Sequence, residues 1–314
     1  MSALLAVGFV LMWSSGFVGA VLGTASAGAE TLLAWRFLVV VLVLGAWWAL
    51  TRRRRLSARE VAVHALVGLL SQGVYLSGVV WSAELGVPAG IAALIAALQP
   101  IAAAALSGPL LGERTSASQW LGLVLGLGGV ALVVAGDLAR PGSAPALAYA
   151  LPFLAMAGLV AATFTERRLP TELPLGDSLL IQSGASAVVF TAVAALTGGL
   201  TPPSDGSFWF AVAWVVVLST FGGYGFYWLN VRRGSVTRAS TLLYLTPPTT
   251  MVLAFLMFGE QVTAGGLLGL AVCFAAVLLV LRTPRSQRSP REVSVPGEMM
   301  AACSSTTSSA PPRT

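Results

Sequence analysis

Long apolar segments constrain this chain more than any other feature of its sequence. Ten stretches are nearly free of charge and are separated by clusters of Gly, Pro and polar residues; they are residues 3–23, 30–50, 60–82, 88–110, 119–136, 147–165, 178–198, 208–230, 238–258 and 262–281. A helix needs about 20 apolar residues to cross a bilayer, whereas barrel strands are shorter and alternate. The pattern therefore predicts an all-α integral membrane protein with ten transmembrane helices.

The composition excludes the other broad classes of protein. Hydrophobic residues make up 56% of the 314 residues and charged residues 10%, whereas a soluble domain carries about 25% charged residues. Disorder of the whole chain would need low hydrophobicity and high charge. A net charge of +6 would suggest nucleic acid in a soluble protein, but here the arginines lie in short loops. We therefore expect a lipid bilayer around the chain and no nucleic-acid partner.

The arginines predict how the helices are oriented. All eighteen basic residues are arginine, and sixteen of them fall on the side that holds the even-numbered loops and both ends of the chain. Arg140 is alone on the other side, and Arg36 lies within the second helix. Positive loops stay inside, so we expect both termini in the cytoplasm and the protein in the cell membrane. After Arg282 the chain is rich in Ser, Thr and Pro, which predicts a disordered cytoplasmic tail over 283–314.

The chain matches itself at an offset of 147 residues. Trp81 aligns with Trp228, Pro100 with Pro247, and the pair Gly112-Glu113 with Gly259-Glu260, all without a gap. Matches between leucines are common by chance in an apolar chain, but matches of Trp, Pro and Gly-Glu in one register are not. The sequence thus predicts two repeats of five helices each, over 1–137 and 145–282.

An odd number of helices in each repeat forces the second copy to cross the membrane upside down. Inverted repeats are related by a pseudo-two-fold axis in the membrane plane, and many transporters bind substrate near the midplane between such halves. The expected function is therefore secondary transport by alternating access. We expect helices one, three and four, with six, eight and nine, to form the pathway, and five and ten to pack outside.

Several segments resemble one family of transporters. The segments Ala92–Val133 and Leu242–Val280, the cluster Trp13-Ser14-Ser15-Gly16-Phe17 and the triplet Trp35-Arg36-Phe37 are similar to the pattern of the EamA family of the drug/metabolite transporter superfamily. The resemblance covers about residues 3 to 281. It implies ten helices in two five-helix halves that move small metabolites or toxic compounds, commonly outward. It does not identify the substrate.

The first candidate binding positions are Gln99 and Thr246, which are equivalent in the two repeats and lie near the middle of helices four and nine. They precede Pro100 and Pro247, and a proline within a helix leaves the carbonyl four residues earlier without its donor. Polar groups within a membrane normally face the interior of a bundle, so we expect Gln99 and Thr246 at a substrate cavity and the prolines at helix breaks. The alternative is that Gln99 joins two helices and the prolines only shape packing.

Aromatic and small polar side chains supply further candidates. An amphipathic pocket able to hold cations is predicted from Trp13, Tyr75, Tyr224, Tyr227 and Tyr244, with Ser14 and Gln72 as hydrogen-bonding groups. The alternatives are core packing for the rings and bonds between helices for the polar groups.

The charged candidates are fewer. Arg36 is interpreted mainly as an anchor that extends to the outer interface, with an ion pair to Glu30 or attraction of an anionic solute as alternatives. Glu113 and Glu260 close helices four and nine and are gating candidates; the alternative is that they are interfacial charges. His64 is expected at the interface.

Enzyme chemistry has little support in the sequence. The chain has no lysine for a phosphate-binding loop, and its single histidine and two cysteines do not form a metal site, so we expect no metal and no cofactor. The alternatives to an exporter of a small metabolite, amino-acid-like compound or drug are a lipid-headgroup enzyme or flippase, and a membrane sensor. Proton coupling and the choice between monomer and homodimer stay open.

Overall fold

The computed structural model describes residues 3–51, 56–111, 116–169, 173–223, 226, 242–261 and 263–282, and within them every regular element is a helix. The predicted tail over 283–314 lies outside the described residues, as do Glu113, Tyr224 and Tyr227. By its internal contacts the stretch Met1–Thr283 forms one unit.

Ten helical segments follow one another along the described chain. Their bounds are α1 Leu4–Thr24, α2 Ala29–Thr51, α3 Ala58–Glu84, α4 Ala89–Leu110, α5 Ala117–Leu138, α6 Ala146–Arg168, α7 Leu175–Thr197, α8 Gly206–Gly223, α9 Leu243–Phe258 and α10 Ala264–Leu279. The first eight are long and apolar enough to cross a membrane, and α9 and α10 are shorter apolar helices. The protein is therefore a multi-pass, all-helical membrane protein.

Polar residues set where several helices begin. Ser57 caps α3, since its hydroxyl accepts from the backbone N–H of Glu60 while the Glu60 carboxylate accepts from the N–H of Ser57. Ser116 caps α5 in the same way with Gln119. Such reciprocal caps satisfy amide groups that the first helical turn leaves without partners.

Five of the ten segments depart from regular α-helix, and one of them, α6, begins with the 3-10 turn Ala146–Tyr149. A π-helical turn, Leu69–Val74, interrupts α3, and another, Val215–Gly223, ends the described part of α8. Helix α4 is broken at 97–98, and α9 begins with the 3-10 turn Leu243–Leu245. The break places Pro100 in the first turn of its segment, where the missing N–H costs nothing; Pro247 has the same position in α9.

These features recur at the offset found in the sequence. The regular part of α4 begins at Gln99 and that of α9 begins at Thr246, and these starts differ by 147. The starts of α5 and α10, Ala117 and Ala264, differ by the same number.

Helix packing follows a reciprocal pattern. Helix α5 packs against α10, and α2 against α7, while α1 lies against α8 and α9, and α6 lies against α3 and α4. Gly129 and Gly269 let α5 and α10 approach closely, because an added Cβ at Gly129 would lie 3.0 Å from the carbonyl oxygen of Gly269. These glycines therefore serve packing within the monomer.

The outer surface of the helices is apolar. Large side chains such as Leu50 and Leu196 are 86% and 88% exposed, whereas rings such as Phe9, Phe37 and Phe190 are almost fully buried between helices. A bilayer explains exposed leucines at this density, because lipid replaces water around them.

Candidate functional site

A cavity opens among four helices near the middle of the bundle, and we call it the central cavity. Residues of α1, α2, α3 and α8 line it: Trp13, Gly16, Phe17, Arg36, Phe37, Ser71, Gln72, Tyr75, Leu76, Val79, Ser219 and Thr220. Trp13 and Gln72 lie near the middle of α1 and α3. The first half of the chain thus contributes three helices to the cavity and the second half contributes one.

The central cavity is narrow in this conformation. The space open to the centres of water-sized molecules is about 30 Å³, room for about two or three waters at roughly 10–15 Å³ each. A substrate as large as an amino acid therefore requires the surrounding helices to separate.

The π-helical turns shape the polar part of the wall. Ser71 and Gln72 lie in the turn of α3, and Ser219 and Thr220 lie in the turn of α8. The hydroxyl of Thr220 donates to the carbonyl of Val215 at 3.0 Å, which spans the wider turn. Such turns are rare and frequent at functional sites, because they change the direction in which side chains point.

Close approach of α1 and α8 depends on Gly16. An added Cβ there would lie 2.7 Å from the hydroxyl oxygen of Ser219. Glycine therefore keeps the cavity-facing surface of α1 against the π-helical turn of α8.

Arg36 provides the positive charge of the cavity wall. Its side chain is 4% exposed, and its Nη2 donates to the hydroxyls of Thr220 at 3.0 Å and Ser219 at 3.3 Å. The guanidinium carbon lies 5.7 Å from the centre of the Phe37 ring. The expectation that Arg36 extends to the outer interface is wrong, because the hydroxyls of α8 hold the side chain inside the bundle.

Gln72 is fixed by a buried polar network between α3 and α7. Its amide nitrogen donates to Gln182 Oε1 at 3.3 Å, and Ser183 donates to its amide oxygen at 3.2 Å. The network continues through Ser178, whose hydroxyl lies 3.1 Å from His64 Nδ1. His64 is 5% exposed and lies between α3 and α7, and its expected depth at the membrane interface stays a prediction.

Aromatic rings form the apolar part of the wall. Trp13 and Tyr75 lie on α1 and α3, together with Phe17 and Phe37. Trp13 packs against Phe9 with ring centres 5.6 Å apart. Rings of this kind can hold an apolar side chain or a cation against their faces.

Three of the predicted binding residues, Trp13, Gln72 and Tyr75, line the central cavity. Ser14 does not: it is fully buried and its hydroxyl donates to the carbonyl of Thr246 at 3.4 Å, which joins α1 to α9. The structure also brings α2 to the cavity, a helix that the sequence did not predict there.

Gln99 and Thr246 are not among the residues that line the central cavity. The amide of Gln99 donates to the hydroxyl of Thr163 on α6 at 3.2 Å, which is the contact expected if Gln99 joins two helices. Thr246 is 4% exposed, and its hydroxyl makes no hydrogen bond within the described part of the chain.

A second, smaller cavity lies between α4, α9 and α10. Tyr244 and Pro247 line it together with Leu94, Ala97, Leu98, Leu270, Cys273, Phe274 and Val277. Most of its lining side chains are apolar, and Tyr244 and Cys273 add a hydroxyl and a thiol.

Glu260 lies between α9 and α10, and its side chain caps the start of α4, a helix of the other half of the chain. Its carboxylate accepts from the backbone N–H of Ala89 at 3.2 Å, at the first turn of α4. Burial raises the pKa of Glu260, and the backbone N–H groups of Ala89 and Gly90 oppose that shift. A carboxylate at a helix N-terminus stabilises the helix, so Glu260 links the two halves at one face. Its predicted partner in the repeat, Glu113, lies outside the described residues.

Reasoning from the sequence missed Ser219 and Thr220 on α8. A signal was available, because Ser219 is the repeat equivalent of Gln72 at the 147-residue offset. Arg36 is interpreted from the sequence mainly as an interfacial anchor, so the sequence does not predict that α2 lines the cavity.

The chain is similar to known transporters over most of its length. A family model described as the EamA-like transporter family matches residues 1–135 and 146–282. A protein of Streptantibioticus cattleyicolor named a probable terminal-alkyne amino-acid exporter is 31% identical over 303 residues, which is 92% of this chain and 95% of the relative.

More distant similarities agree with this match. The uncharacterised inner membrane transporter YedA of Escherichia coli is 24% identical, with 86% of this chain and 87% of YedA covered. One crystal structure of a protein aligns with a TM-score of 0.62 and 21% identity over 90% of this chain and 99% of that one. This last similarity concerns the fold alone.

Proposed function

The chain belongs to the EamA-like transporter family and is a membrane transporter of small compounds, and from this premise we propose that it exports an amino-acid-like compound from the cytoplasm by alternating access. The observation that carries the proposal is the central cavity, whose wall combines α1, α2 and α3 of the first half with α8 of the second. A site between halves is where a change in their packing switches access from one side to the other.

The proposed architecture is ten membrane crossings in two inverted halves, 1–137 and 145–282, with both termini in the cytoplasm of a cell-membrane protein. Helix bounds that recur at 147 residues support the repeat. The reciprocal packing supports a two-fold relation, because exchanging the halves turns the pair α1–α8 into the pair α6–α3. The distribution of arginines supports the orientation.

Substrate class and direction are proposed from the cavity and from one relative. The relative at 31% identity is named an amino-acid exporter. Trp13 and Tyr75 would hold the side chain of such a compound, and Gln72 would hydrogen-bond its polar groups. We propose no enzymatic activity, since the family match and the names of the relatives give the lipid-headgroup enzyme no support.

The test uses inverted membrane vesicles and a panel of labelled amino acids, including L-phenylalanine and L-propargylglycine, with and without an uncoupler. We expect accumulation of at least one compound by the wild type and a loss of more than about tenfold for Trp13→Ala. Trp120→Ala is the matched control, because Trp120 is 42% exposed on the outer face of α5 and its loss should leave transport unchanged.

The other possible results of the vesicle experiment would contradict or extend the proposed function. No flux of any panel member, with folded protein in the vesicles, would overturn amino-acid export and direct attention to lipid substrates. Equal loss in both tryptophan variants would overturn the cavity as the binding site. Sensitivity to the uncoupler would show coupling to the proton gradient.

A further inference from the structure

Arg36 places a positive charge in the wall of the central cavity, deep in a membrane protein. Arginine within a membrane-spanning segment is expensive and is retained mainly at sites with a function. Arg36 is 4% exposed and lies on α2, beside the aromatic and amide groups that line the same cavity. Its position therefore calls for an explanation from the substrate or from helix packing.

The hydroxyls of α8 orient the guanidinium of Arg36. Ser219 and Thr220 both accept from the single amino nitrogen Nη2, and hydroxyl groups are neutral. A guanidinium is a planar group with five N–H donors, and it matches the two oxygens of a carboxylate. The arrangement thus holds an oriented guanidinium at the cavity wall.

Comparison of the two repeats shows that the contact of Arg36 with Ser219 does not depend on the positive charge of Arg36. At the 147-residue offset Arg36 corresponds to Ser183, and Gln72 corresponds to Ser219. The contact of Arg36 with Ser219 at 3.3 Å therefore has a counterpart in the contact of Ser183 with Gln72 at 3.2 Å. A serine makes the helix–helix contact in the second half, so this contact does not by itself need an arginine.

We propose that Arg36 binds the carboxylate of the transported compound, so that a free carboxylate is a requirement for transport. Trp13 and Tyr75 face the same cavity and offer π-faces to an ammonium group or an apolar side chain. The Gln72 amide, fixed by α7, offers a neutral hydrogen-bonding group. The substrate class is then carboxylates with an apolar or zwitterionic body, which includes α-amino acids. This inference rests on the proposed export function and specifies the group that the site recognises.

The experiment compares acids with their neutral derivatives in inverted vesicles. The probes are labelled L-phenylalanine and L-propargylglycine, each with its amide, and protein-free vesicles correct for passive leak. We expect the wild type to transport each acid about tenfold to a hundredfold faster than its amide, since a charged hydrogen bond is lost. Arg36→Gln should lower acid transport by a similar factor and leave amide transport unchanged, and Arg36→Lys should lie between.

Ser183→Ala is the matched control, because it removes the equivalent contact of Ser183 with Gln72 and leaves every charged group in place. We expect it to leave the ratio of acid to amide transport unchanged. If Arg36→Gln lowers acid and amide transport alike, or changes nothing, the proposal is wrong and Arg36 is structural. If Arg36→Gln does not fold, the wild-type ratio and Arg36→Lys still decide the matter, because equal transport of acid and amide by the wild type would overturn the proposal.

Failure of this inference is distinct from failure of the proposed function. A wild type that transports amino acids and their amides equally leaves export standing and removes the carboxylate requirement. A wild type that transports none of the probes overturns both. Inhibition of acid transport by an alkyl sulfonate or phosphate, with none by the amide, would support a site for the anionic group.

Discussion

Two glutamines, Gln72 and Gln99, lie near the middle of successive helices but have different surroundings. Gln72 is 2% exposed, lines the central cavity and is held by two side chains of α7. Gln99 is half-buried and bonds to Thr163 on α6. Polarity and depth are therefore the same for both residues, and only the packing of the helices distinguishes them.

Replacing each glutamine with leucine tests which residue serves transport. Gln72→Leu should lower the initial rate per folded transporter by more than about tenfold, because it removes a polar wall group and breaks the network to Ser183. Gln99→Leu loses one hydrogen bond between helices, worth about 0.6 kcal/mol on average in a membrane, and should keep at least a third of the rate. The opposite order of the two rates would move the substrate site to α4 and α9.

At the scale of residues the sequence predicted part of the cavity wall. Trp13, Gln72 and Tyr75 were accessible to prediction because aromatic and amide groups stand out at mid-helix. Arg36 was harder to assign, since its position near the start of α2 also allows the side chain to reach the interface. The acceptors that hold it inside, Ser219 and Thr220, come from a helix 183 and 184 residues away in the chain.

At the scale of helices the agreement is closer, because a bilayer fixes how long an apolar segment must be. The segment predicted over 119–136 is the helix Ala117–Leu138, and that predicted over 147–165 is Ala146–Arg168. Pro100 marked the break in α4, but the π-helical turns had no comparable local signal. They depend on which neighbouring helix accepts each backbone and side-chain group, and that information is not local in sequence.

Helix packing between α5 and α10 can be tested with two adjacent glycines. An added Cβ at Gly129 would lie 2.9 Å from Cys273 Sγ, whereas an added Cβ at Gly128 would meet nothing within 4 Å. Gly129→Ala should therefore destabilise the detergent-purified protein by about 1–3 kcal/mol, seen as a lower Tm. Gly128→Ala should leave the Tm unchanged or raise it, since alanine favours a helix over glycine. Equal Tm values for the two variants would mean that this surface of α5 does not contact α10.

At the scale of the whole molecule the helix contacts agree with the proposed exchange of the two halves. Among the described residues, the main contacts between helices of different halves have counterparts when the halves are swapped, as in α1–α9 and α6–α4. The contact of Arg36 with Ser219 recurs as the contact of Ser183 with Gln72. The positive charge does not recur, because Arg36 corresponds to Ser183. The proposed two-fold thus carries an asymmetric cavity wall, whose arginine, Arg36, belongs to the first half.

An inverted repeat also predicts that equivalent positions lie on opposite faces of the membrane. Ala58 is exposed at the start of α3, and Ser204 is exposed one residue before the repeat equivalent of Ala58. In a background that carries Cys303→Ser, the remaining Cys273 is buried, so a membrane-impermeant thiol reagent reports on introduced cysteines. Ser204→Cys should react in intact cells, and Ala58→Cys should react only after the membrane is opened. Reaction of both from the same side would require the two halves to be parallel, which alternating access by exchange of inverted halves does not permit. Protection of Ser204→Cys together with reaction of Ala58→Cys would keep the inversion but place both termini outside, against the arginine distribution.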